Sequence, residues 1–141
     1  MTTDVDWICC RDDENAATRL MEGLRFVKTT DGMASRFKRP QDLAFPPVDL
    51  IWVDADSFRR MESSVDRTGR YRNIPVIGFE ALISMKLYAL KDHADRKGKD
   101  LLDIRFLLGY NPDVIPEERL RKMCERFAGP DAYDQINQTD G

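Results

Sequence analysis

The sequence predicts an α+β protein, with a small mixed sheet in residues 1–78 and a helical part in residues 79–141. Short apolar and β-branched runs are concentrated in the first half, where one early helical pattern interrupts them. The second half carries apolar residues mainly at helical spacing. Strands followed by helices are typical of α+β proteins, in which helices pack beside a sheet. At 141 residues, we expect a single domain over residues 1–141.

The first half contains the strand signals in a clear order. The apolar run VDWICC at residues 5–10 predicts a first strand, and NAATRLMEGL predicts a short helix after it. The segments FVKTT and MASRFKR flank an Asp31-Gly32 turn and predict a hairpin. The strongest strand is PVDLIWVDA, whose start is fixed by the two prolines before it. A short helix and a brief strand at residues 74–77 complete this half.

The second half contains the helix signals. FEALISMKLYALK and DLLDIRFLLGY each predict a helix, separated by a charged connector. PEERLRKMCERFAG predicts a third, because proline is favoured in the first helical turn and glycine just beyond the end. The segment after it, DAYDQI, predicts a short last helix.

Composition and charge exclude several classes of protein. A net charge of −3 and a pI near 5.2 argue against a broad surface for duplex nucleic acid. Three cysteines without a CxxC pair indicate free thiols in a reducing compartment. Because neither a signal peptide nor an apolar run of the ~20 residues of a membrane span is visible, we expect a cytoplasmic protein without membrane contact.

Three aspartates occupy positions that predicted strands normally give to apolar residues. Asp4 and Asp6 share one face of the first strand, and Asp49 interrupts the apolar run of the strongest strand. If the two strands are neighbours, the three carboxylates converge and suit a hard cation such as Mg²⁺. The alternative is that all three aspartates face water.

One lysine lies within an apolar helical stripe. Lys86 falls in the middle of the buried face that Phe79, Leu82, Ile83, Leu87 and Leu90 define. Asp100 and Asp103 share a face of the next helix and are candidate partners. Lys86 therefore either forms a structural ion pair with one of them or contacts a phosphate while an aspartate holds it in place.

The segment IPVIGFEALISMKLYALKDHADRKGKDLLDIRFLL resembles a signature of nucleotidyltransferase-fold proteins of the abortive-infection toxin type, the AbiEii-like family. Its polar positions are matched by Lys86, Lys99, Asp100 and Asp103. The two aspartates of the family's "T.D.D" strand are matched by Asp4 and Asp6, and its "vDll" strand by residues 48–51.

The resemblance implies Mg²⁺-dependent transfer of a nucleotide from a nucleoside triphosphate to an RNA or protein acceptor. In this assignment Asp4, Asp6 and Asp49 hold the metal, and Asp49 also helps to activate the acceptor. Lys86 steadies the triphosphate, with Lys99 and Asp103 as further residues of the binding site, and Asp100 orients or balances Lys86. The expected partners are a nucleoside triphosphate and either RNA or an antitoxin protein.

The chain departs from the family pattern at its start. Members carry a Gly-Ser or Gly-Gly phosphate-binding turn upstream of the first aspartate, where this chain has only Met1-Thr2-Thr3. We therefore expect an N-terminally truncated member: either its start codon is assigned too late, or the fold has lost its nucleotide cradle. The loss of this segment exposes a sheet edge or core face, which favours a homo-oligomer. Two alternatives follow: a degenerate, non-catalytic interaction module, or an RNA binder that uses the basic cluster Arg59, Arg60, Arg67, Arg70 and Arg72.

Overall fold

A computed structural model describes residues 4–65, 73–92 and 97–138. These residues contain four strands and six α-helices, which confirms the α+β prediction. The strands are β1 (Val5–Cys10), β2 (Val27–Thr30), β3 (Ala34–Lys38) and β4 (Val48–Val53); the helices are α1 (Glu14–Gly23), α2 (Ala55–Glu62), α3 (Phe79–Asp92), α4 (Lys97–Tyr110), α5 (Glu117–Phe127) and α6 (Ala132–Asn137).

The chain divides into two compact units, residues 1–63 and residues 64–141. The sheet, α1 and α2 belong to the first unit, and α3 to α6 belong to the second. The single domain expected over residues 1–141 stays a prediction.

The four strands form one mixed sheet in the order β1-β4-β3-β2. β2 and β3 pair as the predicted antiparallel hairpin, with an irregularity between Lys28 and Thr30. β4 pairs antiparallel with β3 and parallel with β1. The two strands that carry the unusual aspartates are therefore direct neighbours.

One face of the sheet forms the core of the first unit. Leu50 and Trp52 on β4 and Phe37 on β3 point to this face, where they pack with Met21 of α1 and with Phe26. Because side chains alternate along a strand, the residues between them point to the opposite face. Asp49 and Arg36 are on that opposite face.

The second unit is built from helices around their own core. The α3 stripe is confirmed, since Ile83, Leu87 and Leu90 are buried. They pack with Ile104 of α4 and with apolar residues of α5 and α6. The brief strand predicted at residues 74–77 shortens to a single bridge residue, Val76, because the adjacent Pro75 has no N–H to donate to a strand ladder.

Within the three described ranges, no helix combines the length and the apolar character needed to cross a lipid bilayer.

Candidate metal and nucleotide site

Strand register places three charged side chains in one row across the sheet. Asp6 on β1 is opposite Asp49 on β4, and Asp49 is opposite Arg36 on β3. Residues directly opposite on neighbouring strands have their side chains on the same face, and in an antiparallel pair such as β3 and β4 their Cβ atoms lie about 5 Å apart. Backbone pairing between strands therefore fixes the positions of these three residues, and no loop is needed to place them.

Arg36 binds two of the aspartates at once. Its Nε donates to Asp49 Oδ1 at 2.8 Å, and its Nη2 donates to Asp49 Oδ2 at 2.8 Å. The same Nη2 donates to Asp4 Oδ2 at 2.7 Å, just before β1 begins. Two parallel N–H···O bonds to one carboxylate are the strong geometry for this pair. These hydrogen bonds, with Asp49 the largest cause, raise the pKa of Arg36 above its ordinary value.

The three aspartates converge as the sequence predicts for neighbouring strands. One carboxylate oxygen from each of Asp4, Asp6 and Asp49 lies within 4.8 Å of the other two. Oxygen ligands at this spacing suit a hard divalent cation, and the cluster already attracts a cationic group, the Arg36 guanidinium. The residues present therefore fit Mg²⁺. Their role as metal ligands stays a prediction.

Arg36 was not among the residues predicted from the sequence. The signal for it is weak, because an arginine in an ASRFK strand reads as an ordinary solvent-facing residue. Only the register, which places Arg36 opposite Asp49, connects it with the aspartates.

In the second unit, α3 and α4 bring Lys86 and Asp103 together. Lys86 Nζ donates to Asp103 Oδ2 at 2.7 Å, with the side chains 26% and 39% exposed. Of the two partners left open by the sequence, the structure therefore selects Asp103. Asp100 is buried in the first turn of α4, and Lys99 beside it is exposed. The roles predicted for these four residues stay predictions.

The basic cluster lies largely outside the described residues, and a buried cysteine is unsuited to nucleophilic chemistry. Arg67, Arg70 and Arg72 of the basic cluster lie outside the described residues, and Arg59 forms a local ion pair with Asp56 on α2. Burial raises the pKa of the Cys124 thiol to about 11, which disfavours the nucleophilic thiolate at neutral pH.

The family model that matches this chain covers residues 35–139 and describes a nucleotidyl transferase AbiEii toxin of a type IV toxin–antitoxin system. The chain belongs to the AbiEii family. A comparison with curated proteins gives no match. The part of the chain that matches the AbiEii model contains Asp49 and all four of Lys86, Lys99, Asp100 and Asp103, whereas Asp4 and Asp6 precede it. The resemblance stated from the sequence is thus confirmed.

Proposed function

We propose that this protein is a Mg²⁺-dependent nucleotidyl transferase that moves a nucleotide from a nucleoside triphosphate to an RNA or protein acceptor. Membership of the AbiEii family supports the reaction class. The observation that carries the metal dependence is the convergence of Asp4, Asp6 and Asp49, whose ligand oxygens lie within 4.8 Å of one another.

The proposed reaction is a displacement at the α-phosphorus of the triphosphate. An acceptor hydroxyl oxygen forms the new bond to phosphorus, the bond to the bridging oxygen of the β-phosphate breaks, and pyrophosphate leaves with that electron pair. Asp49 accepts the hydroxyl proton. When bound, Mg²⁺ neutralises negative charge that develops on the phosphate oxygens.

Lys86 is the proposed triphosphate ligand of the second unit. Its ammonium offers three donors, of which the structure assigns one to Asp103. An ammonium held by one carboxylate keeps its remaining donors for phosphate oxygens, and Lys is a common phosphate ligand. Asp103 is then the positioning residue for Lys86.

Calorimetric titration with ATP, CTP, GTP and UTP, with and without MgCl₂, tests the proposal. We expect binding of at least one triphosphate to require Mg²⁺, and Asp6→Asn and Asp49→Asn each to weaken it about tenfold or more. Lys86→Met removes a charge-assisted contact and should weaken binding by a similar factor. Asp12→Asn, which removes one exposed aspartate of the same unit, is the matched control and should change nothing. Binding that is independent of Mg²⁺ and of Asp49 would contradict the metal site.

A second candidate is a non-catalytic interaction module that binds an antitoxin protein. The observation that favours it is Arg36, whose guanidinium is a cationic partner for carboxylate oxygens of Asp4 and Asp49. The two candidates differ in the effect of Asp49→Asn on growth inhibition when the protein is expressed. A transferase loses the inhibition, whereas an interaction module keeps it as long as the variant folds.

A further inference from the structure

Arg36 binds carboxylate groups that a metal ion at this site would also use as ligands. The guanidinium uses both carboxylate oxygens of Asp49 and one of Asp4. Each of these two aspartates also supplies an oxygen to the convergent triad. The arginine and a divalent cation therefore draw on the same donor groups.

We infer that Arg36 is a built-in counter-cation that holds the carboxylate site together in the metal-free protein and competes with the divalent cation for it. This inference rests on the proposed function, because it takes the triad as the Mg²⁺ site. Arg36 then sets the metal affinity: the cation must displace the guanidinium from Asp49 and Asp4 before those oxygens can serve as ligands.

Electrostatics makes the competition unavoidable. Three carboxylates brought within 4.8 Å repel one another, and a cation among them offsets that repulsion. A guanidinium and a divalent cation that share one carboxylate lie only a few ångströms apart, where like charges repel strongly unless water separates them. Losing the arginine should therefore favour the metal, even though the empty site becomes less stable.

The geometry allows the guanidinium to leave. The backbone of Arg36 is fixed by pairing with β4, but its side chain is 35% exposed and lies at the surface of the sheet. The long side chain can rotate toward water without disturbing the strand, because its partners are side chains and not backbone groups. Displacement thus costs two ion pairs and leaves the register unchanged.

Calorimetric titration of the full chain with MgCl₂ and MnCl₂, without nucleotide, tests the inference. We expect Arg36→Gln to bind both ions about tenfold or more tightly than the wild type. Arg36→Lys keeps the positive charge but loses the bidentate contact with Asp49. Its metal affinity should therefore lie between those of the wild type and Arg36→Gln. Arg59→Gln removes an exposed arginine of the same unit and controls for net charge; it should match the wild type. Weaker binding by Arg36→Gln, or equal tightening by Arg59→Gln, overturns the inference.

A second measurement follows Arg36 in the wild-type protein, and a variant is needed only to assign its resonance. The arginine Nε–H resonances are recorded by ¹H–¹⁵N NMR, and that of Arg36 is assigned by its loss in Arg36→Lys. In the metal-free protein we expect this proton to be protected from exchange by its bond to Asp49. Adding MgCl₂ should abolish the protection. Protection that survives saturation with a bound metal ion overturns the inference.

These outcomes separate the inference from the proposed function. If Arg36→Gln binds metal more tightly and the wild-type protein transfers no nucleotide, the counter-cation role is supported and the proposed catalysis is contradicted. No binding of either ion by wild type and all variants overturns both the inference and the metal dependence of the proposed reaction. Transfer activity with metal affinity that is the same in wild type and Arg36→Gln overturns the inference alone.

Discussion

At the scale of single residues, a buried serine connects the hairpin turn with the core. Trp52 Nε1 donates to Ser35 Oγ at 2.9 Å, and Ser35 Oγ donates to Asp31 Oδ1 at 2.8 Å. Ser35 is fully buried and Trp52 nearly so. The hydroxyl therefore satisfies an indole N–H that has no access to water, and links it to the turn between β2 and β3.

We expect Ser35→Ala to lower the free energy of unfolding by about 1–3 kcal/mol, the range for leaving a buried donor unsatisfied. Urea denaturation followed by tryptophan fluorescence measures the change. Ser63→Ala removes an exposed hydroxyl that donates to the Arg60 carbonyl, and should change stability by less than about 0.5 kcal/mol. Equal effects of the two substitutions would show that the buried bond contributes nothing specific.

The charged site shows which residues a sequence can reveal. Asp4, Asp6 and Asp49 were predictable because carboxylates at core-like strand positions conflict with the apolar pattern around them. Arg36 conflicts with nothing in its strand, so only three-dimensional register exposes it. That Lys86 pairs with Asp103 and not with Asp100 could not be predicted either, because both aspartates lie on the same face of the helix.

At the scale of elements, the strength of the ion pair between α3 and α4 distinguishes a structural role of Lys86 from a ligand-binding role. Both side chains are partly exposed, so water screens the attraction. Pairs of this kind contribute about 0.2–1 kcal/mol. We therefore expect Lys86→Met and Asp103→Asn each to change the free energy of unfolding by less than about 1 kcal/mol.

A double-mutant cycle in urea measures the coupling between Lys86 and Asp103. The control is the exposed α5 pair of Lys122 and Glu118, for which we expect a coupling near zero. A coupling of several kcal/mol between Lys86 and Asp103 would mean that this pair holds the helices together, and would remove the reason to assign Lys86 to a phosphate. Small coupling with a large loss of nucleotide affinity is the result that the proposed function requires.

Elements differ in how far local patterns determine them. The hairpin and the helices were predictable because turn residues and apolar spacing are local features. The position of β4 between β1 and β3 was not, because parallel pairing of β1 with β4 joins residues more than forty positions apart. That pairing assembles the carboxylates, so the least local feature of the fold is the one that makes the site.

At the scale of the whole molecule, each compact unit has its own hydrophobic core. Phe37 lies in the core of residues 1–63 and Ile104 in that of residues 64–141, and both are fully buried. Units of this size bury a smaller fraction of their surface than larger domains, so each depends strongly on a few large core residues. Local stability should therefore respond to substitutions within each core.

We expect Phe37→Ala to cost about 3–5 kcal/mol and Ile104→Ala about 2–5 kcal/mol, because each leaves a cavity among packed side chains. Hydrogen exchange measured peptide by peptide should show reduced amide protection in residues 4–63 for the first variant and in residues 73–138 for the second. Leu102→Ala, at an exposed position of α4, is the control and should leave protection unchanged in both units. If either core substitution lowers protection equally throughout, the two cores unfold as one cooperative body. The chain then behaves as the single domain expected from its length, and a damaged core in either unit would also open the carboxylate site.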